Sequence, residues 1–163
     1  MSKNFVWSDD YSVGIDEIDE QHKTLFHLIN QLHEAILEKK GSTACRTILH
    51  ELVEYTRVHF ALEQTLMRVG NYPKYEEHCK LHKDLVEEVE ALQHKIASGH
   101  AAISFELLQF LRNWLTKHIL EEDMKYGAFF KTSNQHKDIE DWSEKSRESM
   151  RKHKKKSAWW KFW

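Results

Sequence analysis

The sequence predicts an all-α protein: an antiparallel up-down-up-down four-helix bundle with an N-terminal arm and a C-terminal extension. The chain of 163 residues contains one proline and only five glycines, and the glycines divide most of it into four pieces of similar length. Within each piece the apolar residues recur at spacings of three and four, which is typical of a helix with one buried face. No segment shows the apolar-polar alternation of a half-buried strand. Four helices with short connections favour an up-and-down bundle.

Each of the four apolar stripes includes at least one histidine. The first stripe consists of Ile15, Ile18, His22, Leu25, Ile29, Leu32 and Ile36. The second consists of Ile48, Leu52, Tyr55, His59, Leu62, Leu66 and Val69. The third consists of His78, His82, Leu85, Val89, Leu92 and Ile96, and the fourth of Leu108, Leu111, Leu115 and His118. The pieces are expected to be separated by glycines, which tolerate left-handed backbone angles. These are Gly14, Gly41, Gly70, Gly99 and Gly127.

The histidines of the four stripes are expected to meet at one end of the bundle. In an up-down-up-down bundle, the start of the first helix is level with the end of the second, the start of the third and the end of the fourth. Seven candidate residues lie at these positions, within roughly 12 Å along the axis at about 1.5 Å per residue. They are His22, His59, Glu63, His78, His82, His118 and Asp123.

This convergence indicates a metal site. A single histidine on an apolar stripe is more often a core residue held by a hydrogen bond, but five imidazoles and two carboxylates buried together would be costly without a cation. A structural zinc takes four ligands, whereas seven ligands suit two octahedral ions bridged by carboxylates. Imidazole with carboxylate favours iron and leaves manganese or cobalt open. Asp123 follows His118 by five residues, which on an α-helix turns it by about 140° and would aim it sideways at a second ion.

The spacing and its flanking residues resemble the hemerythrin family, in particular the single-domain bacteriohemerythrins, over about residues 5–131. The matching flanks are Ile18-Asp19-Glu20-Gln21-His22, His59-Phe60 and Trp114-Leu115-Thr116-Lys117-His118-Ile119. The resemblance implies two iron ions with an oxo or hydroxo bridge and dioxygen as the ligand. It assigns His78, His82 and His118 to one iron and His22 and His59 to the other, which keeps a vacant position for dioxygen. Glu63 and Asp123 would bridge the two.

The resemblance also implies an apolar oxygen pocket, in which a dry wall slows protonation and loss of the bound oxygen. Its residues are Leu25, Phe60, Trp114, Leu115 and Ile119, which ordinary core packing would bury equally well. Tyr126, three residues beyond Asp123, is expected to lie beside the ligands. The remaining histidines are expected on the solvated surface. They are His27, His33, His50, His94, His100, His136 and His153.

The ligand types favour an oxygen-binding protein over an enzyme. Bundle oxygenases and ferritins use mostly carboxylates, and anionic ligands stabilise high-valent iron. Five neutral imidazoles with two carboxylates favour reversible binding, for oxygen storage, transport or delivery. An oxygen or redox sensor that signals through a partner is the alternative, followed by a di-iron enzyme acting on peroxide or nitric oxide.

The chain divides into a domain at residues 1–136, with an arm at 1–17, and a basic, Trp-rich tail at 137–163. Residues 144–163 carry a net charge of +6, which leaves about −8 for the rest. This acidic body argues against nucleic-acid binding. Polybasic residues followed by tryptophans suggest an anionic membrane surface or a protein partner, although the aromatic residues could instead fold back on the bundle. The tail is expected to be separable from the oxygen site. The two free cysteines and the lack of a signal-like or membrane-spanning apolar run predict a cytoplasmic protein. The tail suggests a peripheral position at the inner membrane face.

Overall fold

A computed structural model of the protein describes residues 5–156 and confirms the helical bundle. The helices are α1 (Asp16–Leu37), α2 (Ser42–Val69), α3 (Tyr75–Ala97), α4 (Phe105–His118), α5 (Met124–Thr132) and α6 (His136–Lys156). A short 3-10 helix, Asp9–Tyr11, precedes α1, and a π-helical turn, Ile119–Asp123, joins α4 to α5 in one continuous helix. Residues 5–156 contain no strand, and none of their helices is long and apolar enough to cross a membrane.

The helices pack with neighbouring directions opposed. Helix α1 packs against α2 and α4, and α2 packs against α3. His22 near the start of α1 and His59 in the later half of α2 have ring centroids 4.9 Å apart, so these helices run antiparallel. The ring centroid of His78, near the start of α3, lies 4.8 Å from that of His118 at the end of α4, so α3 and α4 also run antiparallel. The predicted stripes form one core, except that Val69 at the end of the second is 40% exposed.

Two of the glycines differ from their predicted role. Gly127 lies inside α5 instead of ending a helix, and a Cβ there would come within 2.3 Å of the Val13 carbonyl oxygen. Gly70 does end α2, but with φ −79°, and the left-handed residue is Asn71 at φ 50°. A Cβ on Gly70 would lie 2.1 Å from the Phe130 ring. Both positions therefore require glycine for close packing and not for backbone freedom.

The N-terminal arm is attached to α1 by specific bonds. The Asp19 carboxylate accepts hydrogen bonds from the Ser12 hydroxyl at 2.5 Å and the Val13 amide at 2.9 Å. Phe5 stacks on Phe26 with ring centroids 3.9 Å apart, and its backbone amide and carbonyl both bond to the Asn30 side chain. The arm thus covers one side of the bundle.

Part of the predicted C-terminal tail is a helix packed on the bundle. Helix α6 contacts α2 and α1, and it buries Trp142 and Ser146. The Trp142 indole N–H donates to the Leu62 carbonyl at 2.8 Å. Trp142 and Ser146 are four residues apart and share one helix face, which explains why a segment of mostly charged residues can dock. Residues 144–156, which belong to the tail predicted to be separable from the oxygen site, are therefore part of a helix that packs on the bundle. The aromatic residues predicted to contact a membrane or the bundle, Trp159, Trp160, Phe162 and Trp163, lie outside the described residues.

Candidate metal centre

The seven predicted ligands lie together in a buried layer of the bundle. Each side chain is at most 6% exposed. Two groups have candidate ligand atoms within 4.8 Å of one another. The larger group consists of Glu63, His78, His82, His118 and Asp123, and the smaller of His22, His59 and Glu63.

Asp123 reaches this layer because of the π-helical turn. On a regular α-helix a residue five positions after His118 would point away from it by about 140°. A π-helix has i→i+5 hydrogen bonds, and here it brings Asp123 Oδ1 to 3.0 Å from His118 Nε2. The regular α-helix assumed for this step is therefore wrong, whereas the position of Asp123 between the two groups agrees with a bridge.

The Asp123 carboxylate faces both groups of histidines. Its Oδ1 lies 3.2 Å from His78 Nε2, and its Oδ2 lies 3.3 Å from His22 Nε2. Glu63 presents Oε2 to His82 Nε2 at 3.1 Å and to His59 Nε2 at 3.9 Å. Each carboxylate thus lies between two histidines of the larger set and one histidine of the smaller.

Several buried polar atoms here have no hydrogen-bond partner among the described residues. They are both ring nitrogens of His22, Glu63 Oε2 and both oxygens of Asp123. In addition, the Nε2 atoms of His78 and His82 are 3.1 Å apart, and those of His82 and His118 are 3.0 Å apart. Three ring nitrogens that converge in this way cannot all be satisfied by each other. Because buried polar groups normally have partners, the donor set fits bound cations, and its imidazole and carboxylate composition fits iron.

The charges in the layer also favour a cation. Burial lowers the pKa of His59 to about 3, so that its ring stays neutral. Burial and Asp123 act to raise the pKa of Glu63, but the histidines around it outweigh them and hold this pKa well below its ordinary value. The pKa of Asp123 is likewise well below its ordinary value, because His118, His22 and His78 outweigh burial. Burial acts to lower the pKa of His78, yet the two carboxylates beside its ring, Asp123 and Glu63, raise it to about 10. The protonated ring of His78 therefore faces two ionised carboxylates.

Three neighbouring polar side chains orient the ligands. The Tyr126 hydroxyl donates to Glu63 Oε1, and burial raises the tyrosine pKa well above its ordinary value, so the hydroxyl keeps its proton. The Gln21 carbonyl oxygen lies 2.8 Å from His59 Nδ1, and the Gln64 amide lies 3.3 Å from His82 Nδ1. Tyr126 was expected beside the ligands, whereas the two glutamines were missed. Each glutamine is the immediate neighbour of a candidate ligand in the sequence. Because adjacent residues on a helix do not share a face, the helical pattern did not predict that either glutamine would contact the site.

The predicted pocket residues lie close to the histidines. Leu25, Phe60, Leu115 and Ile119 are buried, and Trp114 is half-buried. The Phe60 ring stacks on His82 at a centroid distance of 3.6 Å and lies 5.7 Å from His59, so it borders both groups. Trp114 stacks on His118 at 4.4 Å. These aromatic rings restrict water on that side of the layer.

One of the other histidines is not on the surface as predicted. His33 is 1% exposed, and its Nδ1 lies 3.2 Å from an Arg112 guanidinium nitrogen. Burial lowers the pKa of His33, so the ring is neutral and can accept that bond. His33 follows Ile29, a residue of the first stripe, by four positions and so lies on the same helix face. The sequence could therefore have indicated that His33 is buried. The cysteines, Cys45 and Cys79, are not joined by a disulfide.

Comparisons with known proteins agree on one family. The sequence model described as "Hemerythrin HHE cation binding domain" matches residues 13–130. The chain is 37% identical over 123 residues to a bacteriohemerythrin of Pseudomonas aeruginosa, covering 76% of this chain and 79% of the relative. It is 30% identical over 122 residues to the myohemerythrin of Theromyzon tessulatum, covering 75% of this chain and 90% of the relative. A crystal structure of wild-type hemerythrin superposes with a TM-score of 0.72 at 30% identity, covering 76% of this chain and 95% of that one.

Proposed function

Because the chain belongs to the hemerythrin family, we propose that it binds dioxygen reversibly at a centre of two iron ions. The biological role would be storage, transport or delivery of oxygen. The observation that carries the proposal is the buried layer of five imidazoles and two carboxylates, several of whose atoms have no partner within residues 5–156. Such a layer is costly unless cations compensate it.

In the proposed arrangement the two irons have unequal ligand sets. His78, His82 and His118 would hold one iron, whereas His22 and His59 would hold the other. Glu63 and Asp123 would bridge them with an oxo or hydroxo group. The position of Asp123, with one oxygen toward His78 and the other toward His22, supports this division. The iron with two histidines would have fewer protein ligands, which would leave a position for dioxygen.

The protein would restrain the metal ligands and exclude water from the centre. When bound, two ferrous ions supply the two electrons that dioxygen takes up on binding and returns on release. Tyr126 holds Glu63 through a hydrogen bond, which limits the rotation of the Glu63 side chain as the ligands adjust. Phe60 and Trp114, stacked on ligand histidines, would exclude water together with Leu25, Leu115 and Ile119. Exclusion of water slows the protonation that would otherwise release oxygen in reduced form.

We propose a binding protein and not an enzyme. A centre with more imidazoles than carboxylates stabilises high oxidation states of iron less well than the carboxylate-rich centres of bundle oxygenases. The test is metal analysis together with the visible spectrum. The protein should contain two irons per chain, be nearly colourless when reduced, and develop a charge-transfer band in air that fades under argon.

The contrary results are also distinct. A loaded protein with one zinc per chain would reject the di-iron centre. A band that never appears, or does not reverse, would reject the carrier role while leaving the metal site intact. Rapid turnover of hydrogen peroxide by the iron-loaded protein would favour an enzyme.

We further propose a cytoplasmic protein whose basic C-terminal residues dock on an anionic membrane surface. The two free cysteines suit a reducing compartment, and the last turns of α6 carry exposed Arg151, Lys152 and Lys156. Each basic residue near such a surface contributes about 1 kcal/mol. The protein should therefore co-sediment with phosphatidylserine vesicles more than a chain lacking residues 151–163, and less so at high salt. Equal sedimentation would reject this docking.

A further inference from the structure

A buried chain of hydrogen bonds connects α6 to a candidate ligand. The Gln21 amide nitrogen donates to the Ser146 hydroxyl at 2.8 Å, and the carbonyl oxygen of the same side chain lies 2.8 Å from His59 Nδ1. Ser146 is fully buried, and Gln21 is 2% exposed. Ser146 lies beyond residues 13–130, which match the family. The connection is therefore a property of this chain's C-terminal extension.

The orientation of the Gln21 amide determines the proton position on His59. A carbonyl oxygen can only accept, so Nδ1 must carry the proton and Nε2 must keep its lone pair. That lone pair is on the nitrogen that faces Glu63 in the metal layer. If the amide were rotated by half a turn, its N–H₂ would face Nδ1 and favour the opposite tautomer. His59 Nε2 would then carry a proton and could not bind a metal.

Helix α6 holds the Gln21 amide in two ways. Ser146 accepts from the amide nitrogen directly, which fixes the position of the side chain, although a hydroxyl can also donate and so does not select which end of the amide faces it. Arg147 Nε lies 3.4 Å from Glu17 Oε2, and Glu17 Oε1 lies 3.5 Å from the same Gln21 nitrogen. Because an ionised carboxylate cannot donate, Glu17 selects the N–H₂ end of the amide. Trp142, one turn before Ser146, fixes the helix at this place.

We propose that Ser146 is a positioning residue for the metal centre, which acts through Gln21 to hold His59 in its metal-binding tautomer. Metal-bound histidines depend on such partners of the second ring nitrogen. Here the C-terminal extension, outside the family domain, supplies the outer end of the connection. The effect on metal binding rests on the proposed role of His59 as a ligand, whereas the effect on its tautomer does not.

The first test is iron retention in the full-length protein. Ser146→Ala should lower the chelator concentration that removes half of the iron by about two- to tenfold, the factor typical of one hydrogen bond. Gln21→Leu should lower it by about 10- to 100-fold. In the Gln21→Leu background, Ser146→Ala should have no further effect, since the amide is already gone. Ser149→Ala, at an exposed serine of the same helix, is the matched control and should retain iron as the wild type does.

The second test needs no metal. Long-range ¹H–¹⁵N correlation spectra of the metal-free protein, with His59 assigned by comparison with His59→Gln, should show the Nδ1–H tautomer in the wild type. Ser146→Ala should increase the Nε2–H share, and Ser149→Ala should not. An unchanged tautomer in Ser146→Ala would overturn the proposal. So would a further loss of iron when Ser146→Ala is added to Gln21→Leu. If the wild type binds no iron, the ligand assignment fails and the tautomer measurement alone decides.

Discussion

Replacement of Trp142 by alanine should detach α6 from the bundle. Trp142 is 4% exposed, and a buried tryptophan removes about 150–250 Å² from water. At about 25 cal/mol per Å² this area corresponds to roughly 4–6 kcal/mol. Alanine retains part of that burial, and the unfolded chain is not fully extended, so a loss of about 3–5 kcal/mol is expected. The hydrogen bond to the Leu62 carbonyl is lost as well.

The loss should appear first in α6, because a C-terminal helix can undock while the other helices stay folded. Hydrogen exchange of backbone amides in residues 136–156 should become faster in Trp142→Ala, approaching the rate of amides without stable hydrogen bonds. The amides of α1 and α3 should keep most of their protection. Asp141→Ala, which changes the exposed neighbouring residue, is the matched control. Exchange in α6 that is equal in the two variants would refute the view that Trp142 holds this helix in place.

Three further predictions concern the metal layer. His118→Ala should lose iron, because the larger group loses a ligand, whereas His50→Ala at an exposed position should keep two irons per chain by metal analysis. Leu115→Ala, at a buried residue, should admit water and speed autoxidation of the oxygenated protein, measured as faster irreversible decay of its visible band. In the metal-free protein the pKa of His78 is raised to about 10. A pKa raised by folding contributes stability that is present below about pH 6.5 and lost as the pH rises toward 10. Urea midpoints should therefore fall between pH 7 and 10 in the wild type, and this fall should be smaller in His78→Gln.

The sequence predicted the bundle and the convergence of the ligands because both follow from helical periodicity. His22, His59 and His118 each belong to an apolar stripe, and a stripe faces the core whatever its neighbours are. Antiparallel packing then places residues near alternate helix ends at one level. These inferences need only short-range spacing and the lengths of the connections.

The missed features depend on exceptions to that periodicity or on distant contacts. The five-residue step from His118 to Asp123 was interpreted on a regular helix, whereas the backbone adopts a π-helical turn there. Gln21 and Gln64 adjoin ligands in the sequence, but the helical pattern does not place adjacent residues on one face. Ser146 is separated from Gln21 by 125 positions. A buried serine in a charged helix has no signature in the sequence until its partner is known.

The origin of the ligands connects metal binding to folding. The candidate ligands come from α1, α2, α3 and the continuous helix formed by α4 and α5, so no single helix can assemble either group. Without metal, the His78 proton offsets part of the negative charge of the two buried carboxylates. A cation that binds only the assembled layer stabilises the folded state by mass action, and it must displace that proton to reach His78. Metal uptake should therefore release protons. The hydrogen bonds that Tyr126 makes to Glu63, and that Gln21 makes with His59 and Ser146, limit how far the candidate ligands can relax before the metal binds.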